Sequence, residues 1–273
     1  MVENTATTNN FCFTLGLIGY PLSHSFSASY FSAKFREEHI NGIYKLFPIT
    51  NINEIFNIIK ENKNILGLNV TIPYKQSVFH LMDEFSPEAE AIGAINVIRI
   101  NKKQNGSCQL KGYNTDWIGF QKSLNNFLTE KTEKALILGT GGASKAVWYA
   151  LNQLGIKCIF VTRAKDDSDL ETNLQSSLIR YDEITQSLIE STRLIVNTTP
   201  VGMYPNEDNA PQIPYQWITN KHFCYDLIYN PSITLFMQKC MQQGAKVKNG
   251  LEMLHLQADA AWEIWNKPEV RNC

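Results

Sequence analysis

The 273-residue sequence predicts an α/β protein built as two α/β lobes, and three observations carry that prediction. Short runs of aliphatic and β-branched residues alternate with helical patterns almost throughout, the mark of parallel α/β architecture. A glycine turn, ILGTGGAS at 137–144, joins one such run to a helical stretch in the middle of the chain. The hydrophobic share of 44% over this length is enough to bury a proper core in each lobe.

Taken in order, the first lobe offers strands at 14–19, 43–49, 65–71, 95–100 and 108–112. Helical stretches stand between them near 28–39, 53–62, 74–84 and 87–92. Phe31 and Phe35 fall one helical turn apart, enough for an apolar stripe. A long helix is predicted over 116–129, after which the pattern becomes strand, glycine turn, helix and strand through Arg163. RLIVNTTPVGM, FCYDLIY and the short KVKNG supply further strands, and LEMLHLQADAAWEIW closes the chain as an amphipathic helix before Pro268. The division predicted is 1–115 with 251–273 as one domain and 116–250 as the other. Segment 164–178 is polar and lacks a packed-helix pattern, so helix and flexible loop both stand.

Composition narrows the function classes. A formal net charge of −1 argues against a nucleic-acid binder acting through overall basicity. No run of eighteen apolar residues exists, so a membrane span is not expected. The opening MVENTATTNN lacks the basic end and apolar middle of a signal peptide. Six cysteines are scattered without a CxxC pair, which reads as reduced thiols in a cytoplasmic protein. Neither they nor the five histidines show metal-ligand spacing, and no metal is expected.

The glycine turn reads as Gly139-x-Gly141-x-x-Ser144, a variant of the dinucleotide fingerprint that ends in a small residue. Gly139 permits the tight turn and Gly141 lets the backbone approach a pyrophosphate, with Thr140, Gly142 and Ala143 completing the cradle at a helix N-terminus. The competing reading is an ordinary strand-to-helix turn. The next strand run ends at Thr162-Arg163, where an NAD enzyme usually carries an acidic residue for the ribose diol. Arg163 suits the 2′-phosphate of NADP through a bidentate contact, and Lys165 adds charge, whereas Asp166 and Asp167 suit a ribose.

Three stretches carry candidate chemistry. LNVTIPYK presents Thr71, Pro73 and Lys75, with Pro73 placed to open a helix and Lys75 at the carboxyl end of a strand. GYNTDWIGF presents Asn114, Thr115 and Asp116 at the start of the long helix. GYPLSHSFS crowds Ser23, His24, Ser25 and Ser27 behind the first strand. Each has a plain structural alternative: a solvated lysine, a capping aspartate, a serine helix cap. A Lys–Asp pair suits carbonyl reduction, the ammonium donating a proton to the developing alkoxide. A serine-hydrolase reading fails, because no nucleophile elbow surrounds Ser25 and no acid partner is evident.

Together, GYPLSHSFS, LNVTIPYK, GAINV, GYNTDWIGF, ILGTGGASKAV, VNTTPVGM, YDLIYNP, NGLEML and Gln257 resemble the shikimate dehydrogenase family over residues 16 to about 265. The resemblance implies NADPH-dependent, reversible reduction of 3-dehydroshikimate to shikimate, in the pathway to aromatic amino acids. It implies a substrate-binding lobe with a mainly parallel sheet, a Rossmann-like NADP-binding lobe and a cleft between them. Ser25 and Ser27 then grip the substrate carboxylate, and Lys75 with Asp116 form the catalytic pair. Thr71, Asn96 and Gln257 hold ring hydroxyls, and Tyr229 lies near the carboxylate and the nicotinamide. Gly139 to Ala143, Thr162, Arg163, Thr198, Thr199, Met203 and Gly250 serve the cofactor.

The sequence departs from the family pattern in three places. Ala28 follows the serine motif, Val97 ends GAINV, and Thr162 stands where asparagine is usual. A quinate/shikimate dehydrogenase using NAD(P) is the alternative, followed by a non-catalytic dinucleotide-binding module. Retention of both serines and Arg163 favours shikimate. The partners implied are small molecules, with the protein a monomer or homodimer.

Overall fold

A computed structural model describes residues 11–22, 25–103, 106–163 and 177–266. The chain divides into two compact units, one from segments 1–86, 95–113 and 261–273, the other from 87–94 and 114–260.

The first unit is built on a six-stranded sheet of β1 (Phe13–Gly19), β2 (Gly42–Pro48), β3 (Ile65–Val70), β4 (Glu84–Phe85), β5 (Val97–Lys102) and β6 (Cys108–Tyr113). Their order is β2-β1-β3-β5-β6-β4. β1 runs parallel to β2 and β3, whereas β5 lies antiparallel to both β3 and β6. The sheet is therefore mostly parallel with one reversed strand.

β1 and β3 are buried almost throughout, which is why they read as continuous apolar runs rather than alternating ones. One face packs Ile18, Leu68, Val70 and Ile98 against Ile55 and Ile58 of α2 (Ile55–Glu61). Against the other face stands an aromatic cluster from α1 (Phe26–Glu37). Phe31 stacks on Tyr44 at 4.8 Å between centroids and meets Trp265 at 5.6 Å. The predicted stripe holds: Phe31 and Phe35 are both buried, and burial of Phe31 alone contributes roughly 2 kcal/mol.

The second unit holds an all-parallel sheet of β7 (Lys134–Leu138), β8 (Lys157–Thr162), β9 (Ser177–Arg180), β10 (Leu194–Asn197), β11 (Phe223–Asp226) and β12 (Lys246–Lys248). The order β9-β8-β7-β10-β11-β12 is the doubly wound 3-2-1-4-5-6 arrangement, with its switch point between β7 and β10. The helices of this unit are α3 (Pro87–Ile92), α4 (Asp116–Asn125), α5 (Gly142–Gln153), α6 (Gln186–Ser191), α7 (Leu235–Gln242) and, up to residue 260, α8 (Leu251–Trp265).

Side chains along each strand of this sheet alternate between two cores. Ile137, Phe160, Val196 and Tyr225 face Phe120 of α4, Val147 of α5 and Met253 of α8. Leu136, Val161, Ile195 and Cys224 face Ile189 of α6 and Phe236 and Cys240 of α7.

Several elements differ from the sequence expectation. Pro73 does not open a helix over 74–84; it lies in a turn closed by Tyr74 N–H donating to Thr71 O at 2.9 Å. Only a short 3₁₀ turn, Ser77–Leu81, forms there, because Tyr74 is buried and tied to Ile49 O at 2.7 Å while Lys75 O accepts from Ile95 N–H at 2.7 Å. These ties hold the segment against the sheet.

The helix expected over 116–129 ends at Asn125, where Leu124 O accepts from both Phe127 and Leu128 N–H and closes the last turn. The end of the polar segment is neither helix nor loop: residues 177–180 pair with β8 as an edge strand. The remainder of that segment, 164–176, lies outside the described residues.

No disulfide joins the described cysteines. Among the described residues, no helix is long and apolar enough to cross a membrane, and no cluster of His, Cys, Asp and Glu could hold a metal.

Candidate active site

In the first unit the candidates follow the carboxyl ends of the inner strands β1 and β3 or precede the amino end of β5. Because β5 is antiparallel to its neighbours, its amino end lies beside the carboxyl ends of β3 and β6, with Val97 facing Asn69 and Tyr113. Ligands of open α/β sheets bind outside the carboxyl ends of the strands.

Ser25 caps α1, its Oγ accepting from Ala28 N–H at 3.4 Å, which leaves its hydroxyl hydrogen to donate outward. Ser27 is in the first turn of the same helix. No acidic residue occupies that turn, so the amide dipoles there favour an anion. The expected serine cap is therefore present at Ser25. Ser23 and His24 lie outside the described residues.

Beneath Ser27 runs a buried relay that the sequence reading missed. Ser27 donates to the Tyr44 phenol, whose Oη donates to Asn69 Oδ1 at 2.7 Å. Asn69 Nδ2 in turn donates to Asn96 O at 3.3 Å. Burial pushes the Tyr44 hydroxyl well above the usual tyrosine range and Ser27 opposes this, so the phenol stays neutral. Asn69 was legible in principle: it stands two residues before Thr71 on the same strand run, hence on the same face. Tyr44 carried no local signal.

The other candidates of this unit are held by main-chain bonds. Thr71 N–H donates to Ile18 O at 3.0 Å. Asn96 is buried, and its carbonyl also accepts from Val70 N–H at 2.8 Å. Lys75 is half-buried, its backbone fixed by Ile95. These strand ends offer hydroxyls, amides, an ammonium and a helix N-terminus, a set suited to a small oxygen-rich anion.

In the second unit, Gly139 follows β7 with φ +106, the left-handed region that favours glycine. Its N–H donates to Val161 O at 2.9 Å, and a Cβ there would stand 2.9 Å from Thr199 Cγ2. Thr198 bonds back to β7, its N–H and Oγ1 both reaching Leu138 O, at 3.0 and 2.6 Å. Thr198 and Thr199 therefore adjoin the glycine turn at the switch point.

Gly141 caps α5 without a side-chain bond, and beyond its own chain neighbours no atom of the described residues lies within 4 Å of where its Cβ would be. Thr140, Gly142 and Ala143 complete this open turn. Ser144 is buried, its Oγ donating to Gly141 O at 2.6 Å, which lets the helix pack closely. An uncapped helix N-terminus behind an open glycine turn fits a dinucleotide pyrophosphate.

Thr162 is buried at the end of β8 and Arg163 is exposed beyond it. The Arg163 charge draws the Tyr181 hydroxyl down while burial, the larger effect, pushes it up. Arg180, in register with Thr162 on β9, is paired with Asp182 at 2.5 Å. Lys165, Asp166 and Asp167 lie outside the described residues.

Asp116 belongs to this unit, and Lys75 to the first. The helix cap is Thr115, not Asp116, and Asn114 Oδ1 accepts the Asp116 N–H at 3.0 Å while Asn114 Nδ2 donates to Ala94 O at 2.9 Å. Asp116 is thus the first residue of the helix and not its cap. One turn on, a Cβ at Gly119 would stand 2.5 Å from Met253 O and 3.0 Å from Gln257 Cβ. Glycine there lets α8 cross α4 closely and sets buried Gln257 over the turn that Asp116 opens. Met203 and Tyr229 are exposed on turns after β10 and β11, and Gly250 is buried before α8.

Residues 17–98 match the family model of the shikimate dehydrogenase substrate binding domain. A shikimate dehydrogenase (NADP(+)) of Clostridium beijerinckii is 39% identical over 261 residues, covering 94% of this chain and 93% of its own. The crystal structure of shikimate dehydrogenase from Aquifex aeolicus is 34% identical with a TM-score of 0.82, covering 97% of this chain and 94% of its own. A shikimate 5-dehydrogenase from Thermus thermophilus, solved in complex with NADP(H) and shikimate, is 28% identical with a TM-score of 0.80, covering 93% of each chain.

Proposed function

Because the chain belongs to the shikimate dehydrogenase family, we propose that it reduces 3-dehydroshikimate reversibly to shikimate, with Lys75 and Asp116 as the acid–base pair. It is an NADP-dependent oxidoreductase of aromatic amino acid biosynthesis. The observation that supports the substrate assignment is the position of Ser25, Ser27, Thr71, Lys75 and Asn96 beyond the ends of the inner strands β1, β3 and β5 of the first unit. The proposed work is done in the cytoplasm on small molecules, by a monomer or a homodimer.

In this reading Ser25 and Ser27 hold the substrate carboxylate through charge-assisted hydrogen bonds at the N-terminus of α1. Thr71, Asn96 and Gln257 hold ring hydroxyls, and Tyr229 borders the carboxylate. Gly139, Thr140, Gly141, Gly142 and Ala143 cradle the pyrophosphate, with Thr198 and Thr199 beside them. Thr162 and Arg163 serve the 2′-phosphate, and Met203 and Gly250 adjoin the nicotinamide. When bound, NADPH supplies the hydride that turns the substrate ketone into an alcohol. Lys75 gives its ammonium proton to the alkoxide oxygen as charge develops there, and Asp116 provides the carboxylate partner.

Steady-state rates for shikimate and quinate, each with NADP and NAD, test the assignment. Shikimate with NADP is expected to be fastest; quinate oxidation with NAD outpacing it would overturn the substrate and cofactor choice. Lys75→Ala should lower kcat by about a thousandfold, within the usual range for losing a general acid–base group, while shikimate binding stays within about threefold. Full turnover in that variant would remove Lys75 from the chemistry.

A further inference from the structure

Asp226 ends β11 and is completely buried, yet it is none of the residues assigned a role above. Its Oδ1 accepts from Asn197 Nδ2 at 3.0 Å and from Ile228 N–H at 3.1 Å, and its Oδ2 accepts from Thr234 Oγ1 at 2.6 Å. Each partner passes the connection on. Asn197 Oδ1 accepts from Thr199 N–H at 3.1 Å and Thr199 Oγ1 at 2.7 Å, and Thr199 Oγ1 accepts from Val201 N–H at 3.3 Å. Ile228 O accepts from Gly250 N–H at 3.1 Å. Thr234 Oγ1 caps α7 by accepting from Met237 N–H at 3.3 Å.

Two turns are therefore fastened to one carboxylate. The 198–203 turn carries Thr199 and Met203, the 227–234 turn carries Tyr229, and Tyr204 N–H donating to Asn230 O at 3.2 Å stitches one to the other. Gly250 is pressed against the second turn, since a Cβ there would lie 2.0 Å from Leu227 O. The glycine cradle adjoins Thr199 but has bonds of its own: Gly139 N–H donates to Val161 O, and Thr198 is held by Leu138.

We propose that Asp226 is a positioning residue for the nicotinamide end of the cofactor site, fixing the 198–203 and 227–234 turns while leaving the phosphate end to the glycine cradle. The proposal rests on the cofactor reading above. Charge supports it: three donors converge on the carboxylate, and bonds to an ionised acceptor are about twice as strong as neutral ones. Burial pushes the Asp226 carboxyl up to about 6, with Thr234, Ile228 and Asn197 opposing, so an ionised group is kept here against its desolvation. An asparagine can keep the Asn197 and Ile228 bonds only with its amide toward Thr234, whose hydroxyl must then accept instead of donate, so the charge and the Thr234 donation are lost together.

The test uses two ligands, NADPH and 2′,5′-ADP, the latter having the phosphate and adenosine end alone. In Asp226→Asn, kcat at saturating NADPH and 3-dehydroshikimate should fall at least about tenfold, with the 2′,5′-ADP Kd within about twofold of the unaltered protein. Thr234→Val should reproduce a weaker loss and Thr234→Ser should restore it. A kcat within about twofold in Asp226→Asn, or parallel loss of kcat and 2′,5′-ADP binding, overturns the proposal. Failure of the unaltered protein to bind 2′,5′-ADP overturns the cofactor reading itself, and the proposal with it.

Discussion

Tyr44 illustrates how much of the candidate site depends on a residue with no local motif. Its ring is stacked on Phe31 and its hydroxyl joins Ser27 to Asn69, so one side chain serves both the core and the proposed carboxylate grip. Tyr44→Phe keeps the ring and removes the relay. The expected result is a KM for shikimate raised about tenfold, equivalent to about 1.4 kcal/mol, with kcat little changed. Steady-state kinetics decide it; an unchanged KM would leave Ser27 needing no support from Tyr44.

At the scale of elements, the β7–turn–α5 unit joins conformation to binding. Gly139 is both left-handed and tight against Thr199, so Gly139→Ala meets backbone strain and a steric clash together. The strain alone costs roughly 1–2 kcal/mol, which should lower the thermal midpoint by several degrees. NADPH affinity should fall as well, because the turn must shift to admit the methyl. Thermal unfolding alone and with NADPH separates these effects; a variant as stable and as tightly binding as its parent would contradict this account of the turn.

For the molecule as a whole, Asp226 ties stability to pH. Its folded value of about 6 lies above the ordinary 3.8, so the native state binds the proton more tightly than the unfolded chain. The contribution is most favourable below the unfolded value and is lost as pH rises through about 6, amounting to roughly 3 kcal/mol across the window. Asp226→Asn removes this titration. The stability of the unaltered protein relative to the variant should therefore fall between pH 4 and pH 7, as read from urea unfolding at each pH. Tyr215, whose hydroxyl is pushed further up by neighbouring Cys240, Cys224 and Asp226 on top of its burial, stays neutral across this range. A pH-independent difference would mean that Asp226 binds its proton no more tightly in the folded protein than in the unfolded chain, and that burial does not raise its value.

The division between what was legible and what was not has a physical basis. Local sequence determined the alternation of strands and helices, the glycine turn and the serine cap, because period, φ requirement and capping chemistry each act within a few residues. The motif residues were legible for the same reason, as short strings at strand ends. Pro73 was misread because bonds from Ile49 and Ile95, distant in the chain, hold its segment in a turn. Residues 177–180 were hidden because an edge strand needs only a partner, which β8 supplies. Only the tertiary structure decided that Tyr44 and Asn69 would back the serines, and that Asp226 would join Asn197 of β10 to the turn that follows β11. A buried hydrogen-bond network is satisfied across space, and no spacing along the chain records it.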